Sequence, residues 1–137
     1  MKRYLIGVSA ALLFAFVAFM AFVAWPAWHK FSVEDRIHGA FYPVVNALYT
    51  FQQDTGVPAA DLAQLTPKYL TAIPQSELVA GVSYLRSSDG KAWTLSLSST
   101  ALAPPRIYCC RSDGKYTTEE EQRVIQRYHG TWVVLRK

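Results

Sequence analysis

Three histidines (His29, His38 and His129), two adjacent cysteines (Cys109 and Cys110) and the acidic run Glu119-Glu120-Glu121 hold most of the chemistry this chain could perform. A bound transition metal needs several such side chains at matched spacing, and no histidine here stands at ligand spacing from another His or Cys. A catalytic histidine needs a positioned partner. His38 follows Ile37 in a helical pattern and His129 adjoins Gly130, so both read as structural or solvated. Acids in the first turn of a helix favour its dipole, which accounts for the glutamate run without a cation. Ser76 and Ser112 have no base nearby in the sequence. There is no glycine-rich phosphate loop and no nucleophile elbow. The expectation is a protein with no catalytic, cofactor-binding or metal-binding residue, and so not an enzyme.

Cys109 and Cys110 are the unusual pair. Neighbours on a strand point to opposite faces, so at most one faces a core. A bond between them would close a strained ring and disturb the strand. Buried inert thiols, a vicinal disulfide, and an intermolecular or redox role all stay open, because free thiols outside the cytoplasm are exposed to oxidation.

The elements that position these residues begin with Tyr4 to Trp28. This stretch contains no charged residue and is filled mainly by Leu, Phe, Ala and Val. About twenty apolar residues form a helix long enough for a hydrocarbon core of roughly 30 Å. A cleaved signal peptide would have a shorter apolar region and an A-x-A-like site; Phe22 before Ala24 and Trp25 before Ala27 spoil both candidates. The reading is an uncleaved anchor over residues 4–28, with Trp25 and Trp28 at the membrane interface. Lys2 and Arg3 put the amino terminus on the cytoplasmic side. Residues 1–28 then form a cytoplasmic start and anchor, and 29–137 one small domain outside the cytoplasm. A bacterial inner membrane with a periplasmic domain is the simplest setting. Fourteen Lys and Arg stand against ten Asp and Glu, and Lys2 and Arg3 precede the anchor. So weak a basic excess does not point to nucleic acid.

Beyond the anchor, Pro26 should kink or restart the helix. Ile37, Phe41, Val44, Leu48 and Phe51 fall at steps of four and three and make one helical stripe. Gly39 and Pro43 predict a bend within it. Gly56 should supply the left-handed cap. Residues 59–65 predict two short helical turns, and 66–74 a packed, proline-punctuated loop anchored by Leu62, Leu65, Tyr69, Leu70 and Ile73. From Val82 the period becomes two. Strands are predicted over 82–86, 92–98, 106–111 and 131–135, with Trp93, Leu95 and Leu97 on one face. Thr118 with Glu121 predicts a capped helix reaching Tyr128. Trp93 belongs to the core, while Tyr42, Tyr84, Tyr108 and Tyr116 are candidate surface contacts whose faces stay open.

One long amino-terminal helix followed by an antiparallel sheet resembles the type IV pilin and pseudopilin architecture. Tyr49, then Gly56-Val57-Pro58, and the run Leu62, Leu65, Pro67, Tyr69-Leu70 and Ile73-Pro74 are similar to the family's turn and its L-x-x-L-x-P-x-Y-L-x-x-I-P loop. Asp89-Gly90 and Trp93-Thr94-Leu95 are similar to its following hairpin. The resemblance implies an α+β fold, with an N-terminal transmembrane helix continuing into an amphipathic helix packed on a small antiparallel sheet. The family's register acid has no counterpart, since no acid lies between Tyr4 and Trp28. The implied protein is therefore a fixed membrane protein instead of a fibre subunit. The expected role is non-enzymatic binding of another envelope or secreted protein, as an accessory of an envelope or secretion apparatus. The alternatives are an immunity-type protein that neutralises a periplasm-acting toxin, and an envelope enzyme with a site built from scattered residues.

Overall fold

The computed structural model describes residues 12–115, 122–127 and 130–136. Two compact units make up the chain, Met1–Glu34 and Asp35–Lys137.

Helix α1 (Leu12–Thr55) is long and apolar enough to cross a membrane. Within the first unit its apolar residues lie open, from Leu12 through Phe22 to Trp28. Ahead of Pro26 the five residues Met20–Ala24 are π-helical, with the Trp25 amide donating to the Met20 carbonyl five residues back, and α-helix resumes at Trp25. A proline ring collides with the carbonyl four residues before it, here that of Phe22. Widening the turn just ahead of Pro26 accommodates that ring, and the helix continues.

In the second unit α1 ends at Thr55, as the Gly56 signal predicts. Gly56 takes φ +76°, and its amide donates to the Gln52 carbonyl at 2.9 Å. Ile37, Phe41, Val44 and Leu48 are fully buried, and Val45 and Ala47 nearly so. The stripe is thus wider than the four-three spacing implies. Pro43 sits inside the helix on its exposed side, where the lost backbone bond is open to water, and the helix runs through it. A short 3₁₀ turn, Leu62–Leu65, follows; the expected first turn at 59–61 is absent.

Five strands come next: β1 (Gly81–Arg86), β2 (Trp93–Ser99), β3 (Arg106–Arg111), β4 (Gln122–Arg127) and β5 (Gly130–Arg136). They form one antiparallel sheet in the order β1-β2-β3-β5-β4. β4 overturns the helix expected to reach Tyr128. Its Gln and Arg residues have good helix propensity, but pairing of Gln122 with Leu135 through Arg127 with Gly130 gives all six of them a strand partner on β5. Thr118 and Glu121, the expected cap, lie outside the described residues.

Register places Leu95, Cys110 and Trp132 in one row, and Leu97, Tyr108 and Val134 in the next. All six are buried on the face that meets α1. The helix crosses that face from His38, stacked on Trp132 at 5.1 Å, to Gln52, whose Oε1 accepts from the Trp93 indole at 3.1 Å. Trp93 is core, as the alternation predicts, and Tyr49 meets its ring edge-on at 5.1 Å.

Candidate protein-binding edge

The residues singled out above do not converge on one site. Trp25 and Trp28 project from α1, each 70% exposed, as interfacial aromatics would. His29 is exposed. His38 is fully buried between Trp132 and the edge of Tyr108, 5.2 Å away. His129, Tyr116 and Glu119 to Glu121 lie outside the described residues. Ser76 Oγ accepts from the Leu78 amide and Ser112 Oγ from the Trp93 amide, so both serine hydroxyls brace loops. Tyr108 is buried and Tyr84 is half-buried, which removes Tyr108 from the surface contacts. Among the described residues no three of His, Cys, Asp and Glu come together to hold a metal.

Both cysteines are free thiols. Cys110 points into the helix-facing core. Cys109 lies on the opposite face, 3.4 Å from Ser96 Oγ, yet is only 9% exposed. Alternation thus separates the two side chains, while the second face proves to be covered at that point.

Burial pushes the Cys110 thiol up from 9.0 to about 12, with Cys109 a smaller contribution. Below about pH 9 the folded and unfolded chains both keep this proton. Above it the unfolded chain loses the proton first, so stability falls as pH rises. Between pH 9 and 10 the wild type should lose about 1 kcal/mol relative to Cys110→Ala. Urea unfolding at the two pH values, in detergent, measures this, and a flat difference would refute it. Thiol labelling should find two reactive groups on the unfolded, unreduced chain.

The surface best built for contact lies elsewhere, where the loop after α1 meets β1. Asp61 caps the 3₁₀ turn by accepting from the Gln64 amide at 3.0 Å, and Gln64 Oε1 accepts in return from the Ala60 amide at 2.9 Å. Leu65 is the loop's buried anchor. Tyr69 packs edge-on against Phe51 and donates its hydroxyl to Asp54 at 2.9 Å, which fastens the loop to the end of α1. Tyr84 donates to the Ala59 carbonyl at 2.8 Å; burial pushes this phenol up to about 12, so it stays a donor at any physiological pH. Farther on, Ser99 donates to the Leu78 carbonyl and the Ala80 amide to that of Ser98.

Between these fastenings the loop stands off and leaves a groove of about 710 Å³. Phe41, Ile73, Pro74, Glu77, Val79 and Val82 line it. Ile73, expected as a core anchor, is 39% exposed here; its side chain faces the groove because the flanking residues are tied down on either side. Glu77 is the groove's charged residue, and Gln75 and Ser76 supply its other polar side chains.

β1 borders this groove and is the terminal strand of the sheet, pairing only with β2 among the described residues. The Ser87 amide donates to the Ala92 carbonyl at 2.8 Å, extending the same register. Doubly bonded pairs alternate in an antiparallel ladder, so Gly81, Ser83 and Leu85 turn their backbone groups to β2. Val82, Tyr84 and Arg86 turn theirs outward. A Cβ at Gly81 would meet Ser98 Oγ at 2.9 Å, so a larger residue there would make that exposed hydroxyl turn aside. The strand contains no Lys or Pro, and Leu85 on it is 65% exposed. The opposite edge, β4, carries Arg123 and Arg127 within its six residues. Charges and prolines are the usual means of blunting an edge, and β1 carries one charge, Arg86, against two on β4, so β1 is the less guarded end.

Sequence reasoning found the β1 strand but not this site, because neither its position at the edge nor the standing-off loop has a local signal. No family model, curated protein or solved structure matches this chain.

Proposed function

We propose that this chain is a single-pass bacterial inner-membrane protein with a pilin-like periplasmic domain that binds another envelope protein. In this reading its amino terminus is cytoplasmic, and it serves as an accessory of an envelope or secretion apparatus. One observation carries the proposal: a chain with a membrane-length apolar helix presents a sheet edge with a single charged residue, Arg86, beside a groove of mixed apolar and polar lining. Such an edge exposes a row of backbone donors and acceptors that invites a partner, and soluble chains normally suppress it. The groove's side chains offer apolar contact, amides and one carboxylate. These suit recognition better than bond-breaking, which would need an activated nucleophile or a paired acid and base.

The absence of an acid between Tyr4 and Trp28 argues for a chain that stays in the bilayer. Ionisable groups inside membrane segments are costly and usually functional, and this segment has none to register it against another copy.

A photoreactive amino acid placed at Ile73, and separately at Leu85, tests the proposal in the cells that make this protein. Light should join the chain to one discrete different protein. A regular ladder of homo-oligomers, recovery in sheared surface fibres, or no adduct from either position would overturn it. Identification of the joined protein as a toxin would replace the accessory role by the immunity role.

A further inference from the structure

We propose that β1 takes an extended peptide of the partner protein as a sixth strand, with alternate side chains of that peptide entering the neighbouring groove. This rests on the protein-binding reading above and specifies how the partner is held.

The backbone decides the class of occupant. The outward amides and carbonyls of Val82, Tyr84 and Arg86 repeat every second residue, which only another extended strand matches. A helix has spent its backbone groups internally and cannot satisfy them. The groove decides what the strand carries. Register puts Val82 opposite Leu97, on the face toward α1, and Val82 is also a groove wall. A sixth strand would therefore direct every second side chain to that same side, next to Phe41, Ile73 and Pro74. Apolar residues fit there, and the Glu77 carboxylate favours a Lys or Arg on the same side of the peptide.

The test uses the full chain in lipid nanodiscs and a displayed library of random dodecapeptides, counter-selected on empty nanodiscs. Enriched peptides should alternate apolar with polar residues and carry Lys or Arg. Amide exchange at Val82, Tyr84 and Arg86 should slow at least tenfold when an enriched peptide is added, while Ser83 and Leu85 are protected throughout. Val82→Pro replaces an amide that faces away from β2 and places a ring in the path of the new strand. It should weaken binding at least tenfold with the far-ultraviolet dichroism preserved. Glu77→Lys, an exposed change that leaves the backbone alone, should turn the selected charge from basic to acidic. The proposal is overturned by no enrichment over empty nanodiscs, by helical three-four apolar spacing in the winners, or by equal binding to folded Val82→Pro. Slow exchange of the three outward amides without peptide, growing with protein concentration, would give the edge to a second copy and overturn it too. If light-induced adducts persist in Val82→Pro cells, the protein-binding reading stands and the sixth strand alone fails.

Discussion

The double variant Leu13→Arg and Val17→Arg should leave the membrane under a carbonate wash that the parent chain should resist. Eleven Leu, Ile, Val and Phe residues lie between Tyr4 and Trp28. At about −0.3 to −0.6 kcal/mol each, they supply on the order of −3 to −7 kcal/mol toward insertion. An arginine near the middle of a span costs about 2.5–3.5 kcal/mol, and each replacement also forfeits an apolar side chain. The pair therefore costs about 6–8 kcal/mol, enough to cancel the drive to insert. Leu13 and Val17 are well exposed on α1, so their loss removes no packing within the unit described, and the effect reads on the bilayer alone. Asn46→Arg with Gln53→Arg is the matching control. Both residues are exposed beyond the apolar run, and that variant should stay attached. Retention of the Leu13/Val17 variant at the parent level would end the anchor reading. A reporter fused after Lys137, active only outside the cytoplasm, checks the orientation proposed for it.

Trp93→Ala should cost about 3–5 kcal/mol of folding stability, the usual range for emptying a large aromatic site in a core. Trp93 is essentially buried. Its ring meets Tyr49, and its Nε1–H donates to Gln52, whose Nε2–H donates on to the Lys91 carbonyl at 3.1 Å. The substitution thus removes packing between α1 and β2 and releases the side chain that bridges α1 to the β1–β2 turn. Against a total of about 5–15 kcal/mol for an ordinary domain, this is a large fraction. Trp93→Phe keeps most of the volume and loses the N–H, so it should fall between Trp93→Ala and the parent. Thr94, one residue on, points to the other face, and Thr94→Ala should stay within about 0.5 kcal/mol. Urea unfolding of the detergent-solubilised chain followed by circular dichroism measures all three. A Trp93→Ala midpoint equal to the parent's would show that the helix does not depend on this contact.

What the sequence by itself determined is what neighbours along the chain can decide. The uncharged run that ends at Trp28 specifies a helix of membrane length, described from Leu12 on, because length and apolarity are sums over consecutive residues. Ile37, Phe41, Val44 and Leu48 mark the buried side of α1 because a helix repeats every 3.6 residues. Gly56 ends it because a φ of +76° costs glycine nothing. Trp93, Leu95 and Leu97 alternate with Thr94, Ser96 and Ser98 because a strand repeats every two, and the same rule sends Cys109 and Cys110 to opposite faces.

The tertiary structure decided the rest, and in each case the deciding atoms are distant in sequence. Residues 122–127 have a composition suited to a helix but form β4, because β5 offers them a ladder that no local signal announces. His38 is buried because Tyr108 and Trp132 close on it from two later strands. Ile73 lines a groove instead of the core because ties at Tyr69, Leu78 and Ala80 hold its loop away. The sheet order leaves β1 at an end, so its outward backbone groups have no strand beside them among the described residues. Local periodicity can say that a segment is a strand. Only the closing of long loops settles which strand lies beside it, because that outcome depends on which pairing buries the most apolar surface.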